Sequence, residues 1–169
     1  MSDQRLFVLC GLPFSGKSTL ARAIATRFGP THLELDAIVA ERGPIGDGLP
    51  VPRESWIAAY REAYRRMDAL LAQGHSVVFD ATGHRRVHRD LARRHAARFG
   101  TTTVVVALDV QEAVARARRD RNRIAPIRYD VPDAEFDLVA AEIQPPGDEE
   151  HVVRYSSAMD LDAWLQTLP

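Results

Sequence analysis

Gly11-Leu-Pro-Phe-Ser-Gly-Lys-Ser18 is the stretch that decides the fold, because its two glycines, lysine and hydroxyl follow the spacing G-x-x-x-x-G-K-S. An apolar run at residues 6–10 precedes it, and a helix-forming run, Lys17–Phe28, includes its end and continues beyond it. A strand, a glycine-rich turn and a helix in this order present backbone N–H groups and the positive end of the helix to an anion. The sequence therefore predicts a loop that binds the phosphates of a nucleoside triphosphate.

The lysine of this loop is the only lysine in the chain, and every other Lys/Arg position is an arginine. A chain that otherwise uses arginine keeps lysine here because the site requires a compact ammonium charge. We expect Lys17 to be exposed in the nucleotide-free protein and to reach the outer phosphates of ATP, with Mg²⁺ on the Ser18 hydroxyl. The predicted nucleotide-binding residues are Gly11, Pro13, Ser15, Gly16, Lys17, Ser18 and Thr19.

The bulk properties predict one domain over residues 1–169, with the composition of an ordinary globular protein. A net charge of −1 gives no general attraction to nucleic acid or to a membrane. The single cysteine, Cys10, excludes an internal disulfide and suits a reducing compartment. With no apolar run of membrane-spanning length, we expect a cytoplasmic protein.

Apolar runs and helical stripes alternate along the chain. Strands are predicted at residues 6–10, 31–36, 76–80, 102–109 and 151–155, and helices at 17–28, 53–73, 87–99, 111–121, 132–143 and 161–168. This alternation predicts an α/β fold in which a five-stranded, mainly parallel sheet is covered by helices on both faces. A mobile loop is expected near residues 43–52, which are rich in glycine and proline.

Two aspartates end predicted strands on the side where ligands bind to such a sheet. Asp36 closes the second strand and Asp80 closes the third. Phosphoryl transfer requires one carboxylate to accept the proton of the attacking hydroxyl and another to hold Mg²⁺. We assign Asp36 as the catalytic base and Asp80, with Ser18, to the metal. A helix cap or turn is the alternative role for each aspartate.

Five arginines crowd the end of one predicted helix and the loop after it. They are Arg116, Arg118, Arg119, Arg121 and Arg123. Residues 118–130 are predicted to form a lid in which Arg118 and Arg121, three positions apart, stabilise charge on the transferring phosphoryl group. A solvated helix face, neutralised by Glu112 and Asp120, is the alternative. His84 and His88 have metal-ligand spacing, but no cysteine or second histidine pair completes a zinc site.

Several segments together resemble one group of enzymes over nearly the whole chain. Residues 79–82 (Phe-Asp-Ala-Thr) look like the D-x-T strand end of that group, and Arg89, Arg118 and Arg121 match its later arginines. The chain resembles P-loop kinases of the polynucleotide-kinase, zeta-toxin and chloramphenicol-phosphotransferase type, a group that includes many AAA-33 proteins. The resemblance implies a three-layer P-loop NTPase fold, similar to nucleoside kinases. It also implies transfer of the ATP γ-phosphate to a hydroxyl group.

Two positions depart from the pattern of the polynucleotide kinases. Val39 stands where those enzymes usually carry an arginine, and Gly83 stands where an asparagine is common. Both differences remove polar groups from the substrate side, so a small-molecule acceptor is favoured. A polynucleotide 5′-hydroxyl kinase, with the arginines of residues 85–98 along the nucleic-acid backbone, is one alternative. A nucleotide-dependent ATPase switch without a small acceptor is the other.

Overall fold

The computed structural model describes residues 4–43 and 50–169, and within them the chain is built around a five-stranded parallel sheet. The strands are β1 (Arg5–Cys10), β2 (Thr31–Glu34), β3 (Val77–Asp80), β4 (Thr102–Asp109) and β5 (Val152–Ser156). Their order across the sheet is β2-β3-β1-β4-β5, and every pair is parallel. The carboxyl ends of all five strands therefore share one edge, with the loop after β1 at its centre.

Helices cover both faces of the sheet. They are α1 (Lys17–Phe28), α2 (Leu35–Ala40), α3 (Arg53–Ala72), α4 (Arg86–Ala97), α5 (Glu112–Ile124), α6 (Asp133–Glu142) and α7 (Leu161–Leu165), with a 3-10 turn at Asp148–Glu150. Alternate residues of β1 point to opposite faces. Leu6 and Val8 belong to a core with α3 and α4, whereas Phe7 and Leu9 belong to a core with α1 and α7. The predicted three-layer fold and its five-stranded parallel sheet are confirmed.

One predicted strand end is wrong. The strand expected over residues 31–36 stops at Glu34, and Asp36 lies in the first turn of α2. Leu35, Ile38 and Val39 recur at helical spacing, and all three are buried. Burying this apolar stripe favours a helix more strongly than the alternation of apolar and polar residues favours a strand. Asp36 still lies beside the carboxyl edge of the sheet, but a helix rather than a strand holds it.

The predicted end of the helix that carries the clustered arginines is also wrong. The helix expected to end near residue 121 continues to Ile124, so Arg118 and Arg121 both lie on regular helix α5. The irregular segment is shorter than expected and covers residues 125–132. The mobile loop predicted near residues 43–52 falls largely on residues 44–49, which lie outside the described part of the chain.

A buried ion pair joins α4 to the 3-10 turn before β5. The Arg89 and Glu150 side chains are 0% and 1% exposed, and two hydrogen bonds of 2.7 and 2.9 Å connect them. Arg89 Nη1 also donates to the carbonyl oxygens of Gly83 and Gln144. The arginine therefore ties the chain after β3 to the chain before β5, and its role here is structural.

Replacing Arg89 should destabilise the fold strongly. Arg89→Met leaves the Glu150 carboxylate buried without its cation, so we expect a loss of about 3–5 kcal/mol in the free energy of unfolding. Urea unfolding followed by circular dichroism would measure it. Arg94→Met is the matched control on the exposed side of the same helix, and its effect should stay within about 0.5 kcal/mol. Equal stability of the two variants would contradict this role for the ion pair.

Candidate active site

The glycine-rich loop lies between β1 and α1, at the edge of a cleft of about 890 Å³. Gly16 has φ of 101°, a left-handed conformation that favours glycine, and it is the residue before the first turn of α1. Ser15, Gly16, Ser18 and Thr19 line the cleft. The N-terminus of α1 therefore opens toward a space large enough for a nucleotide.

Gly11 and Pro13, which are also predicted to bind the nucleotide, lie at the start of the loop and support its shape. The backbone N–H of Gly11 donates to the Thr82 carbonyl at 3.1 Å, which fixes the start of the loop against the end of β3. Pro13 is buried. Neither Gly11 nor Pro13 lines the cleft, so both shape the loop rather than face the open space.

Lys17 is buried, contrary to the expectation that it is exposed without nucleotide. Its side chain folds back, and Nζ donates to the carbonyl oxygens of Leu12 at 2.5 Å and Gly11 at 3.1 Å. Burial lowers the pKa of Lys17 to about 8, and the nearby Asp80 carboxylate opposes that shift. The loop's own carbonyls thus hold the ammonium.

Three carboxylates surround the end of the loop. Asp80, at the end of β3, is 5% exposed, and the ring nitrogen Nε2 of His32 lies 3.0 Å from its Oδ2. Glu34 is the register partner of Asp80 on β2, and it lines the cleft together with Asp36. Burial raises the pKa of both Glu34 and Asp36. Glu34 was not predicted as a site residue, although its place two residues before the end of the predicted alternation, on the same face as Asp36, could have indicated it.

The five clustered arginines divide into two groups. Arg118 and Arg121 line the cleft, and Arg118 Nη1 donates to the carbonyl oxygens of Phe14 and Ser15 at 3.3 and 3.2 Å. Among residues 4–43 and 50–169, neither of them forms an ion pair with a carboxylate. The other three face carboxylates on or beside α6: Arg116 with Asp137, Arg119 with Asp133, and Arg123 with Asp130 and Asp133. Arg116, Arg119 and Arg123 therefore fit the neutralised helix face, whereas the predicted role of Arg118 and Arg121 at the phosphoryl group stays a prediction.

A further arginine at the cleft, Arg128, was not predicted as a site residue. Its Nη2 donates to Asp36 Oδ2 at 3.0 Å, and its guanidinium lies 4.7 Å from the centre of the Phe14 ring. Phe14 belongs to the phosphate loop and adopts φ of 62°. Arg128 comes from the irregular segment after α5, where sequence periodicity gives no indication of side-chain direction.

The arginines near α4 are largely paired with carboxylates. Their partners are Glu142 for Arg85, Glu149 and Asp90 for Arg86, Glu150 for Arg89, Asp90 for Arg93, and Asp68 for Arg98. Because carboxylates neutralise these arginines, the surface of α4 offers little net positive charge to a phosphodiester backbone.

Gly83, one of the two departures from the polynucleotide-kinase pattern, has a backbone reason. It has φ of 54°, and a Cβ atom built there would lie 2.2 Å from the Leu9 carbonyl oxygen. The close approach of this turn to β1 requires glycine, so a larger side chain is excluded. Val39, the other departure, is buried in the core and does not face the cleft.

The residues predicted to hold Mg²⁺ have suitable chemistry. Ser18 offers a hydroxyl in the cleft, and Asp80 offers a carboxylate at the sheet edge next to the loop. Within the described part of the chain, no group of three or more His, Cys, Asp or Glu side chains could hold a metal ion by itself. The rings of His84 and His88 lie edge to face with their centres 5.3 Å apart, and the described residues offer no third ligand beside them.

Comparison with protein families decides the assignment. The family AAA_33, described as an AAA domain, matches residues 6–146. The chain belongs to this family. This AAA_33 protein is similar to the uncharacterized protein Rv2004c of Mycobacterium tuberculosis, with 38% identity over 103 residues. That match covers 55% of this chain but only 20% of the relative, so the chain spans about a fifth of the length of the curated proteins it matches.

Solved structures of kinases share the fold of this AAA_33 protein. A candidate kinase from Chloroflexus aurantiacus superposes with a TM-score of 0.78 at 20% identity, covering 98% of this chain and 94% of that one. A gluconokinase from Sinorhizobium meliloti gives 0.69 at 20% identity, covering 98% and 90%. The APS kinase CysC of M. tuberculosis gives 0.69 at 19%, covering 97% and 94%. In the described residues, no helix is long and apolar enough to cross a membrane.

Proposed function

We propose that this AAA_33 protein is an ATP-dependent kinase that phosphorylates a hydroxyl group of a small molecule. One observation carries the proposal: a single cleft is lined by the phosphate loop, by Arg118 and Arg121, and by the Asp36 carboxylate. A loop that can hold phosphates, positive charge beside it and a carboxylate that can take a proton are the parts that phosphoryl transfer requires.

The reaction follows from these parts. The acceptor oxygen attacks the γ-phosphorus of ATP, the new O–P bond forms, and the bond to the β,γ-bridging oxygen breaks to release ADP. Asp36 accepts the proton that the hydroxyl loses. Lys17 and the loop N–H groups hold the β- and γ-phosphates, and Arg118 and Arg121 stabilise the charge that develops during transfer. When bound by Ser18 and Asp80, Mg²⁺ would neutralise phosphate charge.

A small acceptor is favoured over a polynucleotide. The structural neighbours include proteins described as a gluconokinase, a sugar kinase and an APS kinase, which are named for small substrates. The α4 arginines that could follow a nucleic-acid backbone are paired with carboxylates, and the position of Val39 is buried. The names of the neighbours, the pairing of these arginines and the burial of Val39 all support an acceptor that enters the cleft as a single compact molecule.

The test is a screen for the acceptor with γ-labelled ATP. Pools of polyols, sugars, hydroxylated antibiotics and oligonucleotides with free 5′-hydroxyl ends would be incubated with the protein, ATP and Mg²⁺. We expect label to pass to a small hydroxylated compound and not to oligonucleotides. Rapid hydrolysis of ATP that no pool alters would contradict the kinase proposal and favour the ATPase alternative.

Arg118 and Arg121 should act on the rate of transfer rather than on nucleotide binding. Arg118→Ala and Arg121→Ala should each lower kcat by about tenfold or more, because their contacts strengthen as charge develops. Nucleotide affinity should change little. Since both side chains face one anion, the double variant should lose less than the product of the two single losses. Arg116→Ala, on the α6 side of the same helix, is the control, and an equal loss there would contradict the division of the cluster.

A further inference from the structure

Arg128 stands between the proposed base and the phosphate loop. It donates to Asp36 Oδ2 at 3.0 Å, its guanidinium lies 4.7 Å from the Phe14 ring centre, and it lines the cleft with Ser15 and Gly16. The side chains of Arg128 and Asp36 are each 34% exposed. The guanidinium is therefore beside the space that the γ-phosphate must occupy if Asp36 is to meet the attacking hydroxyl.

The backbone that carries Arg128 is held by a buried asparagine. Asn122, at 5% exposure, donates from Nδ2 to the Arg128 carbonyl at 3.1 Å. Its Oδ1 accepts from the N–H groups of Ile127 at 3.1 Å and Arg128 at 3.3 Å. Three hydrogen bonds from one side chain fix the segment after α5, so the position of Arg128 is built into the fold. Only the end of its side chain needs to move to change partners.

From this arrangement we infer that Arg128 senses the γ-phosphate: it pairs with Asp36 without nucleotide and transfers to the γ-phosphate when ATP binds. This rests on the proposed function. A γ-phosphate carries more negative charge than one carboxylate and accepts a guanidinium fork at two oxygens. A half-exposed ion pair contributes little stability, so exchanging Asp36 for the phosphate is favourable. ADP lacks the γ-phosphate, so Arg128 stays paired with Asp36 when ADP binds.

The exchange controls when the base is available. Arg128 occupies Asp36 Oδ2, an oxygen that the acceptor hydroxyl would otherwise approach, so the base is covered until a triphosphate is bound. ADP leaves it covered, and acceptor binding is therefore favoured after ATP. Two cations, Arg128 and Lys17, lie near Asp36. The other titratable groups near it are acidic or neutral at pH 7: Asp80, Glu34, Glu135, Tyr60 and Tyr129.

A double-mutant cycle on nucleotide binding tests the exchange without an identified acceptor. The dissociation constants of ATP·Mg²⁺ and ADP·Mg²⁺ would be measured by titration calorimetry for wild type, Asp36→Asn, Arg128→Met and the double variant. Asp36→Asn should tighten ATP binding by about threefold, because Arg128 no longer has to leave an anionic partner. ADP binding should not change. Arg128→Met should weaken ATP binding about tenfold relative to ADP.

The decisive comparison is the effect of Asp36→Asn in the Arg128→Met background. The exchange predicts that the gain in ATP affinity disappears there. A gain of equal or greater size would mean that Asp36 simply repels phosphates, and it would overturn the inference. Arg123→Met, at an arginine that pairs with Asp130 and Asp133, is the matched control and should leave the preference for ATP over ADP unchanged. If wild type bound neither nucleotide, the proposed function itself would fail.

Discussion

Lys17→Ala should reduce phosphoryl transfer by at least about a hundredfold, equivalent to about 2.7 kcal/mol of transition-state stabilisation. Nζ is held by the Gly11 and Leu12 carbonyls inside the glycine-rich loop, so the charge lies within the loop that we propose binds the β- and γ-phosphates. Alanine removes that charge and leaves the loop backbone in place. Labelled transfer to the acceptor found by screening would measure the loss.

Two controls separate catalysis from folding in this variant. Burial lowers the pKa of Lys17 to about 8, so at neutral pH the folded state holds this cation less favourably than the unfolded chain does. Removing the cation should therefore not lower the urea midpoint below that of wild type. Lys17→Arg keeps the charge but needs more space than the buried ammonium occupies, so it should not restore transfer. A folded Lys17→Ala protein with full activity would refute the kinase proposal.

The central part of the fold could be predicted from the sequence because its signals are local. The glycine-rich loop, the apolar β-branched run of β4 and the breaks at Gly29 and Gly74 are each visible within a few residues. Helix α2 was missed because residues 31–36 alternate like a strand over too short a span. Its identity depends on Leu35, Ile38 and Val39 packing against α3, a contact between segments far apart in the chain.

The site was predicted less completely, for a related reason. Ser15, Gly16, Ser18 and Thr19 follow from a motif with fixed geometry, and the structure places them at the cleft as expected. The burial of Lys17 was missed because carbonyls of its own loop accept hydrogen bonds from its ammonium. Arg128 was missed because Asn122 determines its position through hydrogen bonds that have no sequence periodicity.

The structure also bears on the choice between the two candidate bases. Asp80 is almost fully buried and is held by His32, an arrangement suited to a carboxylate that keeps one orientation beside a metal. Asp36 is partly exposed, lines the cleft and has a partner, Arg128, that can leave it. Exposure and access to the cleft favour Asp36 as the proton acceptor, and substitution can test this proposal.

Asp36→Asn should therefore have opposite effects on binding and on chemistry. Asparagine preserves the shape of the side chain but cannot take a proton, so transfer should fall by roughly 10²–10⁴-fold, the usual contribution of a general base. ATP affinity should rise slightly, because Arg128 is released from its carboxylate partner. Single-turnover transfer and equilibrium binding, measured on the same preparation, would show the two effects together.

Asp80→Asn is the matched comparison, since it makes the same chemical change at the other candidate carboxylate. Its principal effect should be weaker binding of ATP·Mg²⁺ with a raised Mg²⁺ requirement, because a neutral amide is a poorer ligand for a hard cation. If Asp36→Asn instead raised the Mg²⁺ requirement and Asp80→Asn abolished transfer at saturating Mg²⁺, the two roles would have to be exchanged. The buried contact of Asp80 with His32 would then have to open during turnover, whereas the partly exposed pair of Asp36 with Arg128 opens at little cost.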